Sequence, residues 1–120
     1  MRILVVDDDP LAGELVGAVL EDAGHDIVLA GNAMEALDAL EAPDGKIPDL
    51  IISDMHMPVV SGIDLFRTLR DQNLDIPFLL LTGDDPAGLW AEEPRLTGCL
   101  MKDAALEDVL PQAVADLPNR

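Results

Sequence analysis

Five polar residues of this chain follow short apolar runs, at the points where buried strands would end. Asp7 and Asp8 follow one run, and Asp54, Thr82 and Lys102 each follow another. If these runs are parallel strands of one sheet, their carboxyl ends meet at one edge, which is where ligands bind in open α/β sheets. Three carboxylates, a hydroxyl and an ammonium at that edge could hold a divalent cation and a phosphoryl group.

The three aspartates predict a metal site. Carboxylates at neighbouring strand ends repel one another, and a bound cation relieves that repulsion. The candidate ligands are all oxygens, with no His or Cys pair at ligand spacing nearby. This favours Mg²⁺, or Mn²⁺ as the other candidate, over zinc. We expect Asp8 to bind the metal directly and Asp7 to bind it through water, with Asp54 sharing the ion.

Asp54 is the candidate nucleophile, because it is central among the strand ends. A metal-bound carboxylate that faces a hydroxyl and an ammonium is suited to attack phosphorus, since the cations neutralise the oxygens of the transferring group. We expect the Thr82 hydroxyl to hydrogen-bond one phosphoryl oxygen and the Lys102 ammonium to pair with another.

Each of these residues also has a simpler interpretation. Asp8 or Asp9 could serve only to cap the first helix. A lone threonine or lysine at a strand end is usually turn chemistry or a solvated charge. The joint placement of all the polar groups at strand ends is what favours a functional site.

Apolar runs rich in Val, Ile and Leu alternate with segments of helical periodicity, which is typical of strand-helix-strand units in a parallel sheet. The fold class is therefore α/β with five strands. The predicted strands span residues 2–6, 26–30, 49–53, 77–82 and 98–101.

Capping residues mark the helices. Asp9 and Pro10 begin the first helix, which ends at Gly24, Asn32 begins the second, and Ser61 begins the third. The residues expected to face inward are Leu11, Leu15, Val16, Val19 and Leu20 in the first helix; Ala33, Ala36, Leu37 and Leu40 in the second; Ile63, Phe66 and Leu69 in the third; and Leu106, Val109, Leu110, Ala113, Val114 and Leu117 in the last.

Two proline-containing segments are less regular. Pro86, Gly88 and Pro94 predict a short helix around residues 87–92 or an irregular loop in the fourth position. Pro111 interrupts the last helix, where an interior proline costs about 3 kcal/mol and introduces a kink.

Composition excludes several classes of protein. The chain has 120 residues, the size of one domain, and a net charge of -17, which disfavours direct nucleic-acid or anionic-membrane binding. The single cysteine, Cys99, cannot form an internal disulfide. The first residues run through a short apolar stretch into three aspartates, and no apolar run has membrane-spanning length. We therefore expect no signal peptide and a cytoplasmic protein.

Along its full length the sequence resembles the receiver domain of bacterial two-component response regulators. Residues 3–10 resemble the acidic-pair motif of that family, and residues 49–58 followed by Ser61-Gly62 resemble its phosphoacceptor segment. Thr82 and Lys102 match its other two signature positions. The resemblance identifies residues 1–120 as one receiver domain, with a doubly wound, flavodoxin-like parallel sheet in the order 2-1-3-4-5 and helices on both faces.

The resemblance also implies a function in phosphorelay signalling. A sensor histidine kinase or histidine phosphotransfer protein would donate a phosphoryl group to Asp54. Mg²⁺ would be held by Asp8 and Asp54 and by the backbone carbonyl of His56. The domain would not be an enzyme acting on other molecules, but would catalyse its own phosphorylation and dephosphorylation.

Three departures from the family pattern limit what the resemblance implies, and those at Cys99 and in the fourth helix concern the output. Cys99 stands where the family usually has an aromatic residue, three positions before its lysine. Lys102 precedes Asp103 rather than a proline, so we expect a trans peptide bond there. The broken fourth helix alters the surface of fourth helix, fifth strand and fifth helix through which downstream proteins would bind.

Two alternative functions remain open at this point. Cys99 and the broken fourth-helix region would also suit a receiver-like interaction module that works without phosphorylation. The acidic cluster would also suit a magnesium-dependent phosphohydrolase, although no cap domain or substrate pocket is evident. We expect a monomer or a weak dimer.

Overall fold

The structure is a computed structural model, and it describes residues 1–41, 47–83, 86–103 and 106–116. Strands and helices alternate along the chain. The strands are β1 Arg2–Val6, β2 Asp26–Ala30, β3 Leu50–Asp54, β4 Phe78–Thr82 and β5 Gly98–Met101. The helices are α1 Pro10–Asp22, α2 Ala33–Leu40, α3 Gly62–Asp71, α4 Pro86–Glu92 and α5 Leu106–Ala115.

The strands form one parallel sheet in the order β2-β1-β3-β4-β5, which confirms the predicted topology. Helices cover both faces. One core contains side chains of α2 and α3, and the other contains side chains of α1 and α5. Strands buried on both faces need continuous apolar runs, and this explains their Val, Ile and Leu content. None of the helices in the described ranges is long and apolar enough to span a membrane.

The capping predictions are confirmed. The Asp9 carboxylate accepts from the backbone N–H of Leu11, with Pro10 in the first turn of α1. The side chains of Asn32 and Ser61 cap α2 and α3 in the same way. The short α4 is also as predicted. α5 runs from Leu106 to Ala115 with Pro111 inside it, so the proline does not end the helix.

Two predicted helix faces are partly wrong. In α1, Leu11 and Leu15 are exposed, while Gly13 and Gly17 are buried. The absence of a side chain at Gly17 lets α1 approach β2 closely, since an added Cβ there would lie 3.3 Å from Ile27. The close approach turns the two leucines toward solvent.

In α5, Val109 is 43% exposed, while Leu110 and Val114 are buried. Leu117 lies outside the described residues. β3 also ends one residue later than predicted, so Asp54 is its last residue rather than the residue after it.

A buried carboxylate links α3 to the segment that follows α4. Glu93 is 5% exposed. It accepts hydrogen bonds from Arg67 at 3.1 Å and from Arg95 at 2.8 Å. The hydrogen bond from Arg95 is the main reason that the pKa of Glu93 falls to about 2, although burial opposes the shift. Arg70 stacks on the Phe66 ring at 4.4 Å beside this cluster.

The Glu93→Gln variant is expected to be less stable than the wild type at pH 7. Arg67 and Arg95 are 41% and 58% exposed, so solvent screening limits the loss to about 1 kcal/mol. The pKa of Glu93 lies below its usual 4.5, so its stabilising effect is complete above pH 4.5 and disappears as the pH falls toward about 2. Urea unfolding of both proteins across that pH window should show their difference shrinking. A difference that stays constant would contradict the assignment.

Candidate functional site

The sheet order brings four of the predicted polar positions to one edge. β1, β3, β4 and β5 are successive neighbours, and the strand ends are in register: Val6 pairs with Ser53, Asp54 with Leu81, and Thr82 with Met101. Asp54 and Thr82 are the last residues of their strands, while Asp7 and Lys102 directly follow theirs.

Lys102 connects two buried carboxylates at this edge. Its Nζ lies 3.1 Å from Asp7 Oδ2 and 3.5 Å from Asp54 Oδ1. Asp8 is exposed, and one carboxylate oxygen each of Asp7, Asp8 and Asp54 lie within 4.8 Å of one another. The structure therefore brings together the three aspartates and the lysine that the sequence predicts.

The ionisation of the central pair reflects burial and mutual charge. Burial raises the pKa of Asp54, and the charge of Asp7 raises it further, while the Lys102 ammonium opposes the shift. Burial alone would lower the pKa of Lys102, but the hydrogen bond to Asp7 and the charges of both aspartates raise it overall. The ammonium therefore stays protonated, while the ionised Asp54 carboxylate is held in a costly environment.

Backbone hydrogen bonds fix these side chains in place. The Asp9 N–H donates to Asp7 Oδ1 at 2.9 Å, which leaves Asp7 bonded on both oxygens. The Lys102 N–H donates to the carbonyl of Thr82 at 2.7 Å. Thr82 is 1% exposed at the end of β4.

The main chain of His56 also lies beside the candidate nucleophile. Its backbone N–H donates to the Asp54 carboxylate, and this hydrogen bond partly opposes the rise in the pKa of Asp54 that burial causes. The His56 side chain is exposed. The Lys102–Asp103 peptide bond is trans, as predicted.

Sequence reasoning missed two residues that shape the main chain at Asp54. The Ser53 hydroxyl donates to the Asp54 carbonyl at 3.0 Å. Gly62, the first residue of α3, lies against the same carbonyl: an added Cβ would overlap that oxygen and lie 2.6 Å from Leu80 Cδ1. A glycine directly after a capping serine was the available signal, because glycine is a poor helix former and its use there indicates close packing.

The free energy of unfolding of the Gly62→Ala variant is expected to be about 2 to 3 kcal/mol lower than that of the wild type. Leu80 is fully buried and the Asp54 carbonyl is backbone, so neither can retreat without moving β3 or β4. Urea unfolding measures the loss. Gly88→Ala in α4 is the matched control, because its added Cβ meets nothing within 4 Å. Alanine there should stabilise slightly, and equal losses in both variants would contradict the packing argument.

A cleft of about 960 Å³ lies at the opposite edge of the sheet. Its lining includes His25, Asp49, Asp75 and Pro77, all of which precede strands. Size alone would favour this cleft as a binding site. The carboxyl edge is nevertheless the better candidate, because the reactive groups converge there.

The acidic residues suit a hard divalent cation. Lys102 is the one ammonium that contacts the carboxylates of Asp7 and Asp54 among the described residues, so the cluster keeps a net negative charge. Mg²⁺ prefers oxygen ligands, and the oxygens of the three aspartates lie close together. Because Asp8 is open to solvent, a bound Mg²⁺ could also keep some of its water ligands, as it usually does.

Comparisons with known proteins give a consistent result. The family model described as "Response regulator receiver domain" matches residues 3–114. Response regulator MprA of Mycobacterium avium is 36% identical over 115 residues, which cover 96% of this chain and 46% of that protein. The probable transcriptional regulatory protein TcrX of Mycobacterium tuberculosis is 36% identical over 98 residues, which cover 82% and 38%. The chain thus spans less than half the length of these relatives.

Solved structures share the fold. Chemotaxis protein CheY4 of Vibrio cholerae superposes with a TM-score of 0.84 at 28% identity, covering 98% of both chains. Response regulator TrrA of Thermotoga maritima, solved in complex with Mg²⁺ and BeF, superposes with a TM-score of 0.76 at 27% identity, covering 95% of this chain and 96% of that one.

Proposed function

The chain belongs to the response regulator receiver domain family, and we propose that it accepts a phosphoryl group on Asp54 from a phosphohistidine and thereby switches its binding to a partner. The observation that carries this proposal is the position of Asp54 between Lys102 and two further aspartates at the carboxyl edge of the sheet. The raised pKa of Asp54 makes its ionised carboxylate a stronger nucleophile toward phosphorus.

The transfer itself needs little from the protein beyond positioning. An Asp54 carboxylate oxygen forms a bond to phosphorus as the bond from phosphorus to the histidine nitrogen breaks, and the electron pair of that bond returns to the imidazole. We assign the Lys102 ammonium to one phosphoryl oxygen and the Thr82 hydroxyl to another. Fixed cations and donors of this kind stabilise the charge that the transition state spreads over the phosphoryl oxygens.

We propose that Mg²⁺ is held by Asp8, Asp54 and the backbone carbonyl of His56, with Asp7 acting through water. When bound, it supplies neutralisation of the phosphoryl charge. The Mg²⁺ complex of the Thermotoga maritima neighbour supports this choice. Mn²⁺ has the same ligand preferences and should substitute.

The direct test is to incubate the chain with acetyl phosphate, with Mg²⁺ or with EDTA. We expect intact-mass spectrometry to show one added phosphoryl group only with Mg²⁺, and hydroxylamine to remove it, as an acyl phosphate requires. No added group from acetyl phosphate or from a phosphorylated histidine kinase or phosphotransfer protein would refute the proposed function and would favour an interaction module that works without phosphorylation.

Mg²⁺ is also expected to stabilise the fold, because it relieves the repulsion among the three carboxylates. At about ten times its dissociation constant it should add about 1.4 kcal/mol. Thermal midpoints in EDTA and in MgCl₂, with NaCl at equal ionic strength as the control, measure the effect. Equal midpoints would contradict a shared metal site.

The raised pKa of Asp54 gives this experiment an internal check. A carboxyl whose folded pKa is raised stabilises the protein only while protonated, so the ionised group costs stability at neutral pH. In EDTA, Asp54→Asn should therefore be at least as stable as the wild type. In MgCl₂ it should gain less than the wild type gains.

The wider assignment follows from the family. We propose that residues 1–120 act as one cytoplasmic receiver domain that modifies only itself, with a sensor histidine kinase or histidine phosphotransfer protein as donor. Its output would pass through the surface formed by α4, β5 and α5, where Met101 and Val109 are 38% and 43% exposed. If the chain is part of a longer protein, we propose that it serves there as the same phosphoacceptor domain.

A further inference from the structure

Val59 lies at the centre of a tight turn in the loop between Asp54 and α3. The Val60 N–H donates to the carbonyl of Pro58 at 2.8 Å, and φ of Val59 is 70°. A three-residue turn around a positive φ is strained, and β-branched residues are among the least tolerant of it. The Val59 side chain is 103% exposed, so no packing within the described residues compensates.

The loop is held on both sides of this turn. Met57 is buried, and Val60 packs against the core on the α2 and α3 face. The Gly62 N–H donates to the carbonyl of Met55 at 2.9 Å. The ends of the loop are therefore fixed, and the Val59 side chain is presented to solvent in a defined position.

A relaxed, exposed valine would need no explanation, because single apolar side chains are common on surfaces. A valine with a strained backbone does need an explanation, since residues in unfavourable backbone regions concentrate at functional sites. Glycine or asparagine would adopt this φ at lower cost. What valine has and they lack is a rigid apolar surface, and within the described residues that surface contacts nothing.

The position of the loop points to the donor protein as the partner. Asp54 is 7% exposed and Val59 lies in the loop that follows it, so a protein that delivers a phosphohistidine to Asp54 comes close to this loop. A second copy of the chain is disfavoured, because each copy carries a net charge of -17. We propose that Val59 is an apolar anchor for the histidine-phosphorylated donor protein. This inference rests on the proposed function.

Two substitutions separate docking from loop shape. Val59→Asn removes the apolar surface and relieves the backbone, while Val59→Ile keeps both the surface and the strain. Ile47→Asn is the control, because Ile47 is 54% exposed at the opposite edge of the sheet. The donors are acetyl phosphate and, separately, every histidine kinase and phosphotransfer protein encoded in the source genome, each phosphorylated in vitro.

Val59→Asn is expected to slow transfer from the protein donor that modifies the wild type fastest, by at least about tenfold. Val59→Ile and Ile47→Asn should match the wild type, and all three should react normally with acetyl phosphate. The thermal midpoint of Val59→Asn should equal or exceed that of the wild type, so its slower transfer cannot be a folding defect.

Three results would overturn the proposal that Val59 is an anchor. The first is equal transfer rates for Val59→Asn and the wild type, and the second is that Val59→Asn also reacts more slowly with acetyl phosphate. The third is that no protein donor transfers to a wild type that does react with acetyl phosphate. A wild type that reacts with neither kind of donor refutes the proposed function itself, and the anchor with it.

Discussion

The Asp54→Asn variant is expected to take up no phosphoryl group from acetyl phosphate under conditions that modify the wild type fully. The amide lacks a nucleophilic oxygen anion, and we assign the two other carboxylates of the cluster, Asp7 and Asp8, to the metal rather than to phosphorus. The loss should therefore be complete rather than partial. Intact-mass spectrometry over a time course measures it.

Asp26→Asn is the matched control, because Asp26 is an exposed carboxylate at the opposite end of a strand. It should react like the wild type. Residual modification of Asp54→Asn on Asp8 would show that the cluster, rather than one carboxylate, is the acceptor. That result would remove the special role that we assign to Asp54.

The Lys102→Met variant is expected to be phosphorylated about 100-fold to 1,000-fold more slowly than the wild type. Methionine keeps much of the apolar stem of the side chain but removes the only ammonium that contacts both Asp7 and Asp54 in the described residues. Loss of one fixed group that stabilises transition-state charge typically costs this much. The rate of acetyl phosphate uptake in saturating Mg²⁺ is the measurement.

The same substitution should lower stability, because it leaves the buried Asp7 side chain without its Lys102 partner. Lys102 is 26% exposed, so the loss should be about 2 kcal/mol, below that of a fully buried pair. The double variant Asp7→Asn with Lys102→Met should recover part of that loss, since the two residues share one interaction. Because Asp7 is also assigned to the metal site, the reference for the rate is Asp7→Asn alone: the double variant should recover stability but be phosphorylated more slowly than that single variant. If the double variant reacts as fast as Asp7→Asn, Lys102 acts only on the fold.

Much of the fold could be predicted because its signals are local. Asp9 with Pro10 begins a helix for reasons contained in those residues. The continuous apolar runs require strands buried on both faces. Once the strands are parallel, their polar ends must share an edge, and this is why the sequence alone predicts that Asp54 and Lys102 lie together.

The features that could not be predicted depend on how distant segments pack. The exposure of Leu11 follows from the close approach that Gly17 allows between α1 and β2. Glu93 meets Arg67 from a segment 26 residues away in sequence. The positive φ of Val59 runs against the preference of its own residue type, so no rule based on local propensity would find it.

Cys99 gives this chain an intrinsic chemical probe of local opening. It is the only cysteine, and it is buried in the core on the side of β5 where α4 packs. Burial raises the pKa of the thiol, and only the thiolate attacks alkylating reagents. Because alkylation is slow compared with a local opening, the rate at which iodoacetamide consumes the thiol should be proportional to the fraction of molecules in which α4 has lifted from β5. The population of the open form of the proposed output surface could thus be measured in the unmodified protein, without an added fluorophore or isotope.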